Sequence, residues 1–119
     1  MTHDEALEWA RRWIADWNRR DVDAVLAHFS DDVEFCSPLV VTVTGDAWGV
    51  VRGRDALRDY WTTALRGHPD LHFELDGVHV GVDAIAINYR NESGRGATEV
   101  AVFDGDGKVV RGWGLYGAA

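Results

Sequence analysis

The sequence predicts an α+β domain in which N-terminal helices pack on a strongly curved, mainly antiparallel sheet. Two observations predict it. Apolar residues recur at helical spacing early in the chain and then alternate with period two to its end. Glycines punctuate the alternating part, at Gly77, Gly81, Gly94, Gly96, Gly105, Gly107, Gly112 and Gly114, as they do where strands bulge or bend. A curved sheet has a concave side, and a bulky helix laid across one end of it leaves a pocket for a ligand.

The first helix is read over Thr2 to Asn18. Ala6, Trp9, Ala10, Trp13 and Trp17 recur every three or four residues, and Thr2 followed by Glu5 forms a capping box that satisfies free N-terminal amides. A shorter helix fits Val22 to Phe29. Val33 to Pro38 reads as a strand, ended by a proline that has no N–H for the ladder. Leu39 to Val51, β-branched but broken by Gly45 and Gly49, reads as a strand-like flap. A third helix runs from about Asp55 to Leu65 and buries Ala56, Leu57, Tyr60, Trp61 and Ala64. Beyond it, strands are expected at Leu71–Leu75, Val78–Val80, Ala84–Asn91, Ala97–Phe103 and Val109–Tyr116, with turns at Asp76-Gly77, Ser93-Gly94 and Asp104-Gly105-Asp106-Gly107.

At 119 residues the chain has material for one hydrophobic core, so residues 1–119 are read as one domain. Hydrophobic residues make up 46% of it, and the single Cys36 can form no internal bridge, so folding must rest on packing. The net charge of −8 and the single lysine, Lys108, argue against a nucleic-acid partner, because phosphate binding depends on clustered cations. No apolar run approaches the roughly 18 residues of a membrane span, which predicts a soluble cytoplasmic protein.

The order and spacing of several short segments resemble the SnoaL-like branch of the nuclear-transport-factor-2-like superfamily over nearly the whole chain. They are Asn18-Arg19-Arg20-Asp21-Val22-Asp23, Phe29-Ser30-Asp31-Asp32-Val33, Ser37-Pro38, Gly53-Arg54-Asp55-Ala56-Leu57 and Gly107-Lys108-Val109-Val110. The resemblance implies the cone-shaped α+β barrel also used by ketosteroid isomerases, and a homodimer through the convex sheet face. Against the isomerases, the tyrosine that donates to the developing oxyanion falls on Trp13, the aspartate base on Ser37, and the second, protonated aspartic acid on Glu99. The base is therefore missing. A serine with no activating partner has too high a pKa to take a proton from carbon.

Glu99 is thus the leading candidate for chemistry: followed by Val100, Ala101, Val102 and Phe103, it would have a raised pKa if it faces inward. Its bland role is a carboxylate satisfied by Arg90, Asn88 or Tyr89 across the hairpin. A two-residue turn at Ser93-Gly94 would set Asn88 opposite Glu99 with Arg90 on the same face; a three-residue turn would bring Tyr89 opposite instead. Trp9, Trp13 and Trp17 are core residues by their spacing, and Trp13 and Trp17 fall on the family's pocket positions. Ser37, Tyr60, Trp61, Tyr89 and Tyr116 are further candidates for the pocket wall, with Gly112 and Gly114 facing inward and leaving volume. Ile85, Ile87, Val100 and Val102 are expected together on the side opposite Glu99, where a partner subunit would cover them.

His3, His28, His68, His72 and His79 show no metal-ligand spacing, and the chain has no phosphate loop, dinucleotide fingerprint or nucleophile elbow, so no cofactor is expected. Two functions fit. One is a cofactor-independent acid/base enzyme of isomerase, cyclase or dehydratase type, acting on an apolar carbonyl compound through Glu99, oriented by Arg90 or Asn88. The other is a non-catalytic module that binds a small ligand or a second copy of itself.

Overall fold

Thr2 starts the first helix with both halves of the capping box: its hydroxyl accepts from the Glu5 N–H at 3.1 Å, and the Glu5 carboxylate accepts from the Thr2 N–H at 2.9 Å. The computed structural model that shows this describes residues 1–118. Its elements are α1 (His3–Asn18), α2 (Val22–Leu26), β1 (Phe29–Cys36), α3 (Pro38–Thr44), β2 (Val50–Arg52), α4 (Arg54–Arg66), β3 (Glu74–Val80), β4 (Ala84–Arg90), β5 (Gly96–Phe103) and β6 (Val109–Tyr116).

The strands form one six-stranded sheet in the order β2-β1-β6-β5-β4-β3, with β1 parallel to β6 and every other pair antiparallel. Helices α1 and α4 supply the facing layer. From α1 come Ala6, Ala10, Trp13, Ile14 and Trp17, and from α4 come Leu57, Tyr60, Trp61 and Leu65, all buried. Irregular register within the β1/β6, β3/β4 and β5/β6 pairs marks where the strands bend. Asn18, the last residue of α1, fastens the helix to the approach of β3: its amide donates to the Phe73 carbonyl (3.0 Å) and accepts from the Phe73 N–H (2.8 Å).

The expected flap from Leu39 to Val51 is instead α3, a turn and β2. Ser37 is the N-cap, its hydroxyl accepting from the Leu39 N–H at 3.2 Å; Pro38 occupies the first turn, and Gly45 closes the helix with φ 79°. These start and stop signals override the strand preference of the β-branched residues between them. The expected second helix is shorter, because Phe29 already pairs with Val109 in β1. Asp76-Gly77, expected as a turn, is a bulge within β3, which continues on both sides of it.

The β4–β5 connection differs from both expected turns. Arg90 pairs with Gly96, leaving Asn91–Arg95 as the loop. Asn91 builds it, its side-chain oxygen accepting from the Ser93 and Arg95 N–H groups, each at 3.0 Å. Glu99 consequently lies opposite Ile87, and Tyr89 opposite Ala97. Ile85 and Ile87 therefore share the inner face with Glu99 and are buried there, whereas Val100 and Val102 point to the outer face; the sequence reading had put all four outside.

Candidate functional site

Period-two alternation along β5 and its neighbours sets the inner face of the site. Ala97, Glu99 and Ala101 of β5 face inward beside Ile87 and Tyr89 of β4, and beside Gly112, Gly114 and Tyr116 of β6. Between this face and the helices lies a cavity of about 420 Å³, lined by Trp13 and Trp17 of α1, Tyr60 and Trp61 of α4, Tyr89, Glu99 and Tyr116 among others.

Aromatic rings make the walls. Trp13 stacks on Phe73 at 5.8 Å and meets Tyr89 edge-on at 5.3 Å, and Trp17 meets Trp61 edge-on at 5.0 Å. The indole N–H groups of Trp13 and Trp17 are buried with no hydrogen-bond acceptor. Trp9, by contrast, lies away from the cavity, against Phe103 and His28. Gly112 and Gly114 do face inward, but neighbours take up the room: a Cβ would sit 3.1 Å from the Phe35 ring at Gly112 and 3.2 Å from the Ser37 hydroxyl at Gly114.

Glu99 is 4% exposed, and among the described residues no group donates a hydrogen bond to it. Burial alone pushes its pKa well above the usual carboxylate range, so the neutral acid is favoured. The hydroxyls around it are also held protonated. Burial raises the pKa of Tyr89, with the nearby Glu99 adding to the rise. Burial does the same for Tyr60 and Tyr116, opposed in both by hydrogen bonding with Ser37. Tyr116 spans from mouth to interior: it is 38% exposed, yet its hydroxyl reaches to 3.6 Å from where a Cβ on Gly114 would lie. The inner end of the cavity therefore presents Glu99, whose neutral form burial favours, with the hydroxyls of Tyr60, Tyr89, Tyr116 and Ser37, while the exposed His68 and Glu92 are also among the lining residues. Such a set can donate hydrogen bonds to an acceptor oxygen.

Asn88 and Arg90 are not part of this set. Both point to the outer face, because the five-residue loop puts even-numbered β4 residues opposite even-numbered β5 residues. Asn88 accepts from the Thr98 hydroxyl at 2.9 Å and lies 3.0 Å from a His79 ring nitrogen. Arg90 is paired with Asp76 at 3.0 Å and Glu74 at 3.3 Å. Neither orients Glu99. The sequence reading also passed over Phe35 and Phe73 in the walls, Leu39 and Thr42 from α3, and Asn91, Glu92 and Arg95 at the mouth. The strand periodicity already placed Phe35 and Phe73 on apolar faces, but nothing local marks the loop residues. Among the described residues no cluster of His, Cys, Asp or Glu could hold a metal ion, and no helix is long and apolar enough to cross a membrane.

The family model of the SnoaL-like domain matches residues 10–116, a span that runs from α1 to the end of β6. The chain belongs to the SnoaL-like family. This SnoaL-like domain is similar to a SnoaL-like protein of unknown function from Burkholderia thailandensis, with 42% identity over 98% of each chain and a TM-score of 0.92. It shares its fold with a protein from Streptomyces galilaeus assigned as a hydroxylase, at 20% identity, 98% and 91% coverage and a TM-score of 0.72. It also shares it with a protein of Agrobacterium tumefaciens assigned as an isomerase of the SnoaL-like family, at 17% identity, 99% and 100% coverage and a TM-score of 0.72. No curated protein matches the sequence.

Proposed function

We propose that the cavity of this SnoaL-like domain takes a small, flat, largely apolar carbonyl compound, and that Glu99 acts on it as a neutral acid without any cofactor. The observation that carries this reading is the buried carboxyl of Glu99, without a donor of its own among the described residues, opening on an aromatic cavity of about 420 Å³. That volume is within the roughly 300–1,000 Å³ usual for small-molecule sites. A protonated Glu99 would donate to the carbonyl oxygen, with Tyr89 beside it, and withdraw electron density from the adjoining carbons. Such polarisation serves isomerase, cyclase or dehydratase chemistry, in which negative charge develops on that oxygen.

A second reading, binding without turnover, is favoured by a specific feature. Ser37 stands where a base would be needed, and its hydroxyl is engaged by the Leu39 N–H and flanked by the phenols of Tyr60 and Tyr116. Proton removal would then fall to water or to the substrate's own groups. The dimer implied by the family resemblance would use the outer face, where Val100, Val102, Trp113 and half-exposed Leu115 lie; light scattering tests it.

The decisive comparison is between a tetralone and tetralin, which differ by one carbonyl, titrated against tryptophan fluorescence with product analysis alongside. The ketone should bind about tenfold more tightly in the native protein, as one well-placed hydrogen bond allows, and Glu99→Leu should remove the preference. Equal binding of ketone and hydrocarbon, or no binding of either, would overturn the reading. Binding with no product across a wider ketone panel would favour the second.

A further inference from the structure

Arg95 stands at the mouth of the cavity and is the one guanidinium among its lining residues. Its Nε donates to the Gly117 carbonyl at 2.6 Å, its Cζ lies 5.5 Å from the Tyr116 ring centroid, and its own N–H is tied into the Asn91 loop at 3.0 Å. Six of the other arginines are engaged by carboxylates within 4 Å: Arg12, Arg19, Arg52, Arg54, Arg58 and Arg90. Among the described residues Arg95 makes no ion pair. Glu92, also at the mouth, accepts from the His72 N–H at 3.4 Å and makes no ion pair with Arg95 among the described residues.

The side chain is therefore held in place through one nitrogen, while its two terminal NH₂ groups remain for a carboxylate fork. In a chain of net charge −8 the overall field repels anions, so an oriented cation at a pocket entrance, without an ion pair among the described residues, is a local exception to it. Tyr116 links the two polar ends of the site. Its ring lies under Arg95, and its hydroxyl reaches the interior beside Gly114 and Ser37. A ligand lying along that ring would meet a cation at one end and neutral donors at the other.

We infer that the ligand is an apolar oxo-carboxylic acid, its carboxylate held by Arg95 at the mouth and its carbonyl oxygen facing Glu99 and the tyrosine hydroxyls inside. The inference rests on the proposed carbonyl-binding function and adds the anionic group to it. The test compares a tetralone bearing a ring carboxylate with the methyl ester of the same compound, by fluorescence titration of the full chain. The acid should bind about tenfold more tightly than the ester, with the advantage shrinking as salt is added. Arg95→Gln should bring the acid-to-ester ratio close to one, and Arg95→Lys should keep only part of it, because an ammonium lacks the planar fork. Equal affinity of acid and ester in the native protein, or a ratio unchanged by Arg95→Gln, overturns this inference and leaves the carbonyl reading standing. Failure of both compounds to bind overturns the two together.

Discussion

Glu99→Gln should change how the stability of the fold depends on pH, by an amount that follows from burial. In the unfolded chain the carboxyl titrates near its ordinary value of 4.5, whereas in the folded chain burial keeps the proton on to a considerably higher pH. Between those two values the folded state holds one proton more than the unfolded state. The stabilising contribution is complete below the unfolded pKa and is lost as pH rises through the folded one, at about 1.4 kcal/mol per pH unit. A slope of that size matters against the roughly 5–15 kcal/mol that holds a domain together. Glutamine has nearly the same shape and no proton to lose, and among the described residues Glu99 accepts no hydrogen bond whose loss would obscure the comparison.

Urea unfolding of both proteins from about pH 5 to about pH 8 measures the effect. The stability difference should move in favour of the variant by about 1.4 kcal/mol per pH unit and level off above the folded pKa of Glu99. Other titrating groups, including His28, whose pKa burial pushes down, act alike in both proteins and cancel. Parallel curves over the whole range, or a difference that moves in favour of the native protein with rising pH, would refute the assignment of a buried neutral acid.

Two further substitutions probe the frame around the site. Asn18→Ala removes both hydrogen bonds to the Phe73 backbone and should cost about 2–3 kcal/mol in urea unfolding, with faster hydrogen exchange at the Phe73 amide. Gly112→Ala drives a Cβ to 3.1 Å from the Phe35 ring, which is 4% exposed and packed against Trp61, so thermal unfolding should show a loss of about 1–3 kcal/mol.

Much of the fold was legible because its signals are local. The Thr2–Glu5 box begins α1, and the 3.6-residue period of Trp13 and Trp17 turns both rings to the sheet. The period of two in β5 turns Glu99 inward with Ala97 and Ala101. The candidate site was legible to a similar depth: Trp13, Trp17, Tyr60, Tyr89, Glu99 and Tyr116 all line one cavity, and Ser37 lies against it. α3 was misread even though its signals were present, since Ser37, Pro38 and Gly45 are strong cap residues surrounding a run with strand propensity. Arg95 left no such trace, because a loop arginine has no pattern until the strands on either side are placed.

By itself, then, the sequence determined where most elements begin and end and which side of each is apolar, since caps and periodicity act within a few residues of each other. Which strand faces meet was decided by the tertiary structure. Asn91 closes a five-residue loop, Ile87 therefore stands opposite Glu99, and Asn88 and Arg90 turn outward. A loop one residue longer or shorter would have reversed every β4 side chain, because alternation along a strand leaves no intermediate register. The pKa of the buried carboxyl is raised for the same reason: only chain segments distant in sequence, folded over it, could take Glu99 out of water and leave it without a hydrogen-bond donor among the described residues.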